Sequence, residues 1–238
     1  MFQGELESLP PLSIWPSEAK RSTYESWNPY AIPEIPEDFS IKSWRYITGG
    51  AHGQIWRAVV CEGNKISTVC FKLFTEDYHS EQAYYREWCA YALLIHRKVK
   101  HCIPKVYYCA VWPRWKWEGE QQSARVKNDP KYGEEWLYGL VMEWFEDSQE
   151  IDLRKGNLRL AEVLGQGLER IHEAMVAHRD IEPRNILLTR QSGKLRVVWL
   201  DFSSAWCGTQ YKFVISQEWL LFRSLLYKYM VNELSHLS

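Results

Sequence analysis

HRDIEPRNILL at residues 178–188, followed by VVWLDFSSA at 197–205, is the most chemically marked stretch of this chain. Asp180 and Asn185 stand just ahead of an apolar run, and Asp201 ends a second one made of Val197, Val198, Trp199 and Leu200. The plain reading of such side chains at the ends of apolar segments is that Asp and Asn cap free backbone groups of a turn.

Working outward, residues 43–74 alternate apolar and polar positions around Gly-rich turns, in WRYITGGAHGQIWRAVV and then ISTVCFKLF, and read as consecutive antiparallel strands. EQAYYREWCAYALLIHR carries Tyr84, Trp88, Tyr91, Leu94 and Ile95 at three- and four-residue spacing, which predicts a helix with one apolar face. Two further strands, near KVYYCAVW and WLYGLVMEWF, flank a polar excursion from about 113 to 134. Leu160, Leu164, Leu168, Ile171 and Met175 mark a second helix, and Trp219, Phe222, Leu226, Tyr229 and Leu234 a third, over about 217–236. Pro10, Pro11, Pro16, Pro29, Pro33 and Pro36 crowd the N-terminus, where fixed φ and missing donors disfavour helix and sheet ladder. Residues 1–40 are therefore expected to be an extended arm. The fold class is α+β, β-rich first and mostly helical after.

The chain has 238 residues, 46% of them hydrophobic, enough to bury a core as one domain or two small lobes. Twenty-nine basic against thirty acidic residues give a net charge of −1, so bulk charge suggests neither a nucleic-acid nor a membrane partner. The six cysteines are scattered without a CxxC pair and read as packed, reduced thiols. No basic-then-apolar leader and no apolar run long enough to span a bilayer is visible, which sets the expectation of a cytoplasmic protein. Of the thirteen tryptophans, those in WPRWKWEGE at 112–120 read as rings packed in a long loop, outside any site.

HRDIEPRNILL and VVWLDFSSA resemble the catalytic and metal-binding loops of eukaryotic protein kinases, whose patterns are HRDxxxxN and DFG. His178, Arg179, Asp180 and Asn185 fall at the family's spacing. The resemblance implies that Asp180 takes or orients the proton of an acceptor hydroxyl. It implies too that Asn185 and Asp201 hold Mg²⁺ bridging the phosphates of ATP. Phosphoryl transfer is mainly positioning and charge neutralisation, which explains why these residue types are needed.

Three upstream features should accompany that loop, and each has a counterpart. ITGGAHGQI places Gly50 and Gly53 at two of the three glycine positions of a phosphate-covering loop, with Thr48 at the other. ISTVCFKLF resembles the family's VAIK strand and puts Lys72 at the phosphate-pairing lysine. Strand alternation turns Lys72 partly inward, where an ammonium needs a partner. Glu87 lies on the apolar stripe of the next helix and is the expected counter-ion, because an unpaired carboxylate there is costly. Glu81 competes, but it sits near the helix start, where the macrodipole accounts for it. VMEWF at 141–145 would be the strand joining the lobes, with Glu143 and Trp144 near an adenine edge.

The expected architecture is thus a two-lobed protein-kinase-like fold. An antiparallel-sheet N-lobe with one helix spans about 41–145, and a short, mainly helical, truncated C-lobe about 146–238. The departures concern mechanism. Glu182 stands where protein Ser/Thr kinases carry lysine, while Arg184 matches the supporting arginine of tyrosine kinases and is taken as catalytic with Asp180. Ser203 replaces the DFG glycine, and the tail from 202 to 238 is too short for the family's peptide platform. The function expected is transfer of the γ-phosphoryl group of MgATP to a protein or small-molecule hydroxyl. Two alternatives stay open: a non-catalytic kinase-like protein that binds nucleotide or a partner, and transfer of another part of ATP, such as AMP.

Overall fold

The structure is a computed structural model that describes residues 32–74, 78–113, 136–153, 158–191, 193–208 and 214–230. The Pro-rich arm before residue 32 and most of the Trp-rich stretch 112–120 lie outside them. The fold is α+β, and its described residues divide into two compact units. One comprises 32–88 and 105–144, the other 89–104 and 145–230.

The first unit is built on a five-stranded antiparallel sheet of β1 (Phe39–Gly49), β2 (Gly53–Glu62), β3 (Lys65–Phe74), β4 (Val106–Pro113) and β5 (Trp136–Glu143), in the order β1-β2-β3-β5-β4. Alternation sends Ala58, Val60, Val69, Phe71, Leu73 and Val141 into one apolar cluster, against which Ile35, Phe39, Ile41 and Trp44 pack. Cys70, Lys72 and Phe74 take the other parity of β3. Gly53 is required where it stands: a Cβ there would meet the Leu73 carbonyl oxygen at 2.5 Å. Gly50 has open space around it and donates its N–H to the Gly53 oxygen at 2.8 Å, closing the turn.

Helix α1 (Tyr78–His96) buries Ala83, Tyr84, Glu87, Ala90, Tyr91 and Leu94, but Ile95, expected on that stripe, is 42% exposed. The helix is ending there. Lys98 takes the left-handed φ of 60°, and the Val99 N–H bonds the Leu94 oxygen at 2.9 Å.

The second unit is less helical than expected. Helices α2 (Leu158–Glu173) and α3 (Ile215–Met230) are accompanied by a three-stranded sheet of β6 (Gln149–Glu150), β8 (Ile186–Gln191) and β9 (Lys194–Trp199), and by the short pair β7 (Val176–Ala177) and β10 (Trp206–Cys207). The reason is local. Ile186–Leu188 and Val197–Trp199 favour a pleated surface, and Gly193 at φ 76° serves the tight turn between β8 and β9. Leu164, Leu168, Ile171, Val198, Trp199 and Phe222 are buried in this unit. Gly167 lets the Trp199 ring approach α2, since a Cβ there would lie 2.8 Å from the indole nitrogen. No described helix is long and apolar enough to cross a membrane.

Candidate functional site

In the first unit, β3 delivers Lys72 and α1 delivers Glu87. Their Nζ and Oε2 atoms are 2.6 Å apart, with 9% and 1% of the side chains exposed. Glu81, the competing carboxylate, accepts instead from the Tyr138 hydroxyl at 3.1 Å. The Lys72 ammonium lies 5.3 Å from the centroid of the Phe74 ring. Burial pushes the neighbouring Cys70 thiol up to about 12, so it stays protonated beside the ion pair. Glu143 is tied to the backbone, its Oε2 accepting the Lys105 N–H at 3.0 Å, and the Arg57 guanidinium lies 5.7 Å over the Trp144 ring.

In the second unit, the segment between β7 and β8 forms a loop ending in a single 3₁₀ turn, Pro183–Asn185. Asn185 is buried and its side-chain NH₂ donates to both the backbone oxygen and the Oδ2 of Asp180, each at 2.9 Å. With the nitrogen turned inward, Asn185 Oδ1 is the atom left to act as acceptor. Arg184 Nη2 sits 3.1 Å from both Asp180 oxygens, but this guanidinium is largely exposed, and such a pair contributes under about 1 kcal/mol. The Asp180 carboxylate holds the Arg184 pKa above its ordinary value.

His178 orients the same loop. Its Nε2 is 2.8 Å from the Leu200 oxygen, and its Nδ1 accepts the Asp180 backbone N–H at 3.3 Å, which assigns the ring proton to Nε2. Desolvation in a fully buried position lowers its pKa, consistent with that neutral tautomer. The ring packs against Phe202 with centroids 4.6 Å apart and planes tilted by 47°, and the Phe202 ring lies 5.1 Å from that of Tyr91.

Asp201 follows β9 at φ 60°, ψ 71°, a left-handed conformation that Asp tolerates better than most residues but that still costs energy. Its Oδ1 accepts the Ser203 N–H at 3.3 Å. Downstream, Trp206 and Cys207 pair with Ala177 and Val176, so the segment carrying Asp201 is stitched to the strand leading into Asp180. The Arg179 guanidinium lies 4.0 Å over the Trp206 ring and adds a second tie.

Two residues that sequence reasoning passed over support this loop. Glu218 on α3 is 2% exposed and receives the backbone N–H of Arg179, itself in a left-handed conformation at φ 65°. Its Oε2 is 2.6 Å from Nε2 of the buried His172 on α2. Glu218 stands in the first turn of its helix, a place where the macrodipole alone accounts for a carboxylate. Its spacing of 46 residues from His172 gives no pattern.

Asp180, Arg184 and Asn185 are therefore joined to one another, Asp201 lies just beyond the strand paired with the Asn185 segment, and Lys72 is joined to Glu87. Gly50 and Gly53 sit in the β1–β2 turn. Among the described residues no group of three or more His, Cys, Asp and Glu is arranged to hold a metal ion. Neither a family model nor a curated protein matches this chain.

Proposed function

We propose that this chain is an ATP-dependent phosphotransferase that moves the γ-phosphoryl group of MgATP to a hydroxyl of a protein or small-molecule acceptor. With this reading goes a two-lobed protein-kinase-like arrangement. The observation that carries it is the buried Lys72–Glu87 pair. Burying both charges costs several kcal/mol each, and apolar residues of similar volume would stabilise a core equally well or better. An ammonium kept charged and oriented by one carboxylate is what a polyphosphate requires.

The remaining roles follow from the donor atoms. Lys72 binds phosphate oxygens while Glu87 fixes its direction. Asp180 takes or orients the acceptor proton, and Arg184 neutralises its carboxylate in the resting state. Asn185 Oδ1 and the Asp201 carboxylate are hard oxygen donors that fit Mg²⁺. The cation, when bound, neutralises charge on the phosphates. Gly50 leaves its surroundings open for close approach of a phosphate.

The test is the melting temperature with ATP in Mg²⁺ and with ATP in EDTA, for the wild type and Lys72→Met. Stabilisation by mass action is expected only with the metal, and weaker in the variant. Equal shifts in EDTA would count against the metal assignment. Incubation with separately γ- and α-labelled ATP then reads which group moves, γ-label on the acceptor being the expected result.

A second reading, nucleotide or partner binding without turnover, is favoured by one feature. Arg184 already occupies both oxygens of the carboxylate that must accept a proton. Binding of MgATP with no label transferred to any acceptor would select it.

A further inference from the structure

The sign of the charge around Asp180 bears on the kind of acceptor that suits the proposed transfer. Ile181 is buried, while the Asp180 side chain on one side of it is 32% exposed and Glu182 on the other is exposed, so both carboxylates meet solvent on the outer side of the loop. Glu182 occupies the cap position of the Pro183–Asn185 turn at φ −131° and ψ 149°, yet its side chain makes no capping hydrogen bond. A carboxylate placed to cap and not spent on capping is available to a ligand. More negative charge stands on the adjoining segment. The Ile151 N–H reaches the Ile186 oxygen, one residue past Asn185, at 3.2 Å, and Glu150 and Asp152 lie on either side of Ile151.

The two guanidinium groups of this loop are placed differently. Arg179 is turned to the Trp206 ring, 4.0 Å away. Arg184 keeps Nη2 at 3.1 Å from both Asp180 oxygens although 64% of its side chain is exposed. Asp180 first, and beyond it Glu182 and Asp201, raise its pKa, so three carboxylates act on this one cation. ATP brings more negative charge than Mg²⁺ neutralises, so loading the site with nucleotide does not reverse its sign. The chain's own cation thus rests where the acceptor hydroxyl must come, and an exposed pair of this kind is weak enough to be exchanged.

We infer that the acceptor carries a cationic group close to the hydroxyl that is phosphorylated, the cation taking over from Arg184 beside Glu182 while the hydroxyl reaches Asp180. An amino alcohol and a serine or threonine flanked by basic residues in a peptide share that chemistry. The inference rests on the phosphotransferase reading and narrows its acceptor. The acceptor oxygen forms its bond to the γ-phosphorus as the bond from that phosphorus to the β–γ bridging oxygen breaks; ADP leaves, and the hydroxyl proton passes to Asp180. A cationic acceptor frees an Asp180 oxygen for that proton without leaving the surrounding carboxylates unanswered. An anionic acceptor fits less well, because it meets the same three carboxylates and one guanidinium already engaged.

Transfer of label from γ-labelled ATP by the full chain tests it, with acceptors that share a hydroxyl and differ in charge. Ethanolamine, ethylene glycol and glycolate form one arm. A serine peptide flanked by arginines, by alanines or by glutamates forms the other, and the better arm tells a small molecule from a peptide. In at least one arm kcat/KM should fall in the order cationic, neutral, anionic, with at least about ten-fold between the ends, and the preference should weaken as salt is raised. Glu182→Gln should raise KM for the cationic acceptor about five-fold, the scale of one exposed ion pair, with a smaller change in kcat. Arg184→Gln, which removes the competing resident cation, should lower that KM. A preference for the neutral or anionic acceptors, or a cationic preference left intact in Glu182→Gln, would overturn the inference. If the wild type labels no acceptor, the phosphotransferase reading fails, and calorimetry decides on the cation seat separately. The arginine-flanked peptide should bind the wild type more tightly than it binds Glu182→Gln and more tightly than the glutamate-flanked peptide does; equal affinities, or no binding, would remove the seat as well.

Discussion

The Glu218 carboxylate on α3 receives the backbone N–H of Arg179, one residue before Asp180, while its other oxygen sits 2.6 Å from the His172 ring. A single buried side chain thus fixes α2, α3 and the backbone of the loop before β8 to one another, and it holds Arg179 in a conformation that non-glycine residues rarely adopt. Glu218→Gln keeps the shape but weakens the acceptor, whereas Glu218→Ala leaves a buried N–H and an imidazole unpaired. The alanine variant should lose about 3–5 kcal/mol of unfolding free energy by urea titration, and the glutamine variant about 1–3. With turnover present, Glu218→Gln should lower kcat more than MgATP affinity, because the backbone it fixes leads to Asp180 and not to Lys72. Equal effects on both would make Glu218 a fold residue only.

How much of this was legible follows from the kind of pattern each residue leaves. Strands β1 to β3 and helix α1 were readable because alternation and three- to four-residue spacing repeat over ten residues or more. Asp180, Asn185 and Asp201 stood out because local spacing carries them. What stayed hidden was non-local. The insertion of β5 between β3 and β4 is decided by burial of both its faces, and Glu218 by a meeting of helices remote in sequence. The helical expectation after residue 146 overran β8, because Ile186–Leu188 is too short a run for periodicity to tell strand from helix. Ile95 was misplaced for a different reason: the stripe continued in sequence past the point where the helix stops packing.

The glycine turn separates fold from function by a simple comparison. A Cβ at Gly53 collides with the Leu73 backbone, so Gly53→Ala should destabilise through a shift of β2 against β3, costing about 1–3 kcal/mol. A Cβ at Gly50 meets nothing within 4 Å. Gly50→Ala should leave the melting temperature within about 2 °C, since surface substitutions usually change stability by less than 0.5 kcal/mol. If phosphates approach this turn, the same variant should still weaken MgATP binding measurably by calorimetry. Unchanged affinity would remove Gly50 from the site while leaving Gly53 explained by packing alone.

His178 makes a pH prediction with a defined sign. Burial lowers its folded pKa below the ordinary 6.5, so between the two values the unfolded chain binds more protons than the folded one. Stability should be full above about pH 6.5 and fall as pH is lowered through the folded value. Protonation would also put a hydrogen on Nδ1, which now accepts the Asp180 N–H. A urea series from pH 7.5 to 5, set by the ordinary histidine pKa of about 6.5, should therefore show a declining midpoint. His178→Asn, which cannot titrate, should flatten that decline from a lower starting stability. A wild-type slope unchanged in the variant would assign the acid sensitivity to another group.

Asp180 and Asp201 are both carboxylates, yet the proposed reaction gives them different work, and the isosteric amide distinguishes them. Asp180 is already held by Asn185 and Arg184, so Asp180→Asn keeps its size and much of its hydrogen bonding while removing the basic oxygen. Fold and MgATP affinity should survive, and turnover should fall by about 10² to 10⁴, as for a positioned general base. Asp201 sits in a left-handed turn with one oxygen on the Ser203 N–H, and its proposed work is to hold Mg²⁺. Asp201→Asn should therefore lose metal-dependent nucleotide affinity together with rate, while ATP binding in EDTA stays as it was. Calorimetric MgATP affinity and labelled-ATP turnover on the same preparations decide the matter. If both variants lose affinity equally, the division of labour is wrong. If the wild type binds MgATP but turns over no faster than Asp180→Asn with every acceptor class, water included, the chain binds nucleotide without catalysing its transfer.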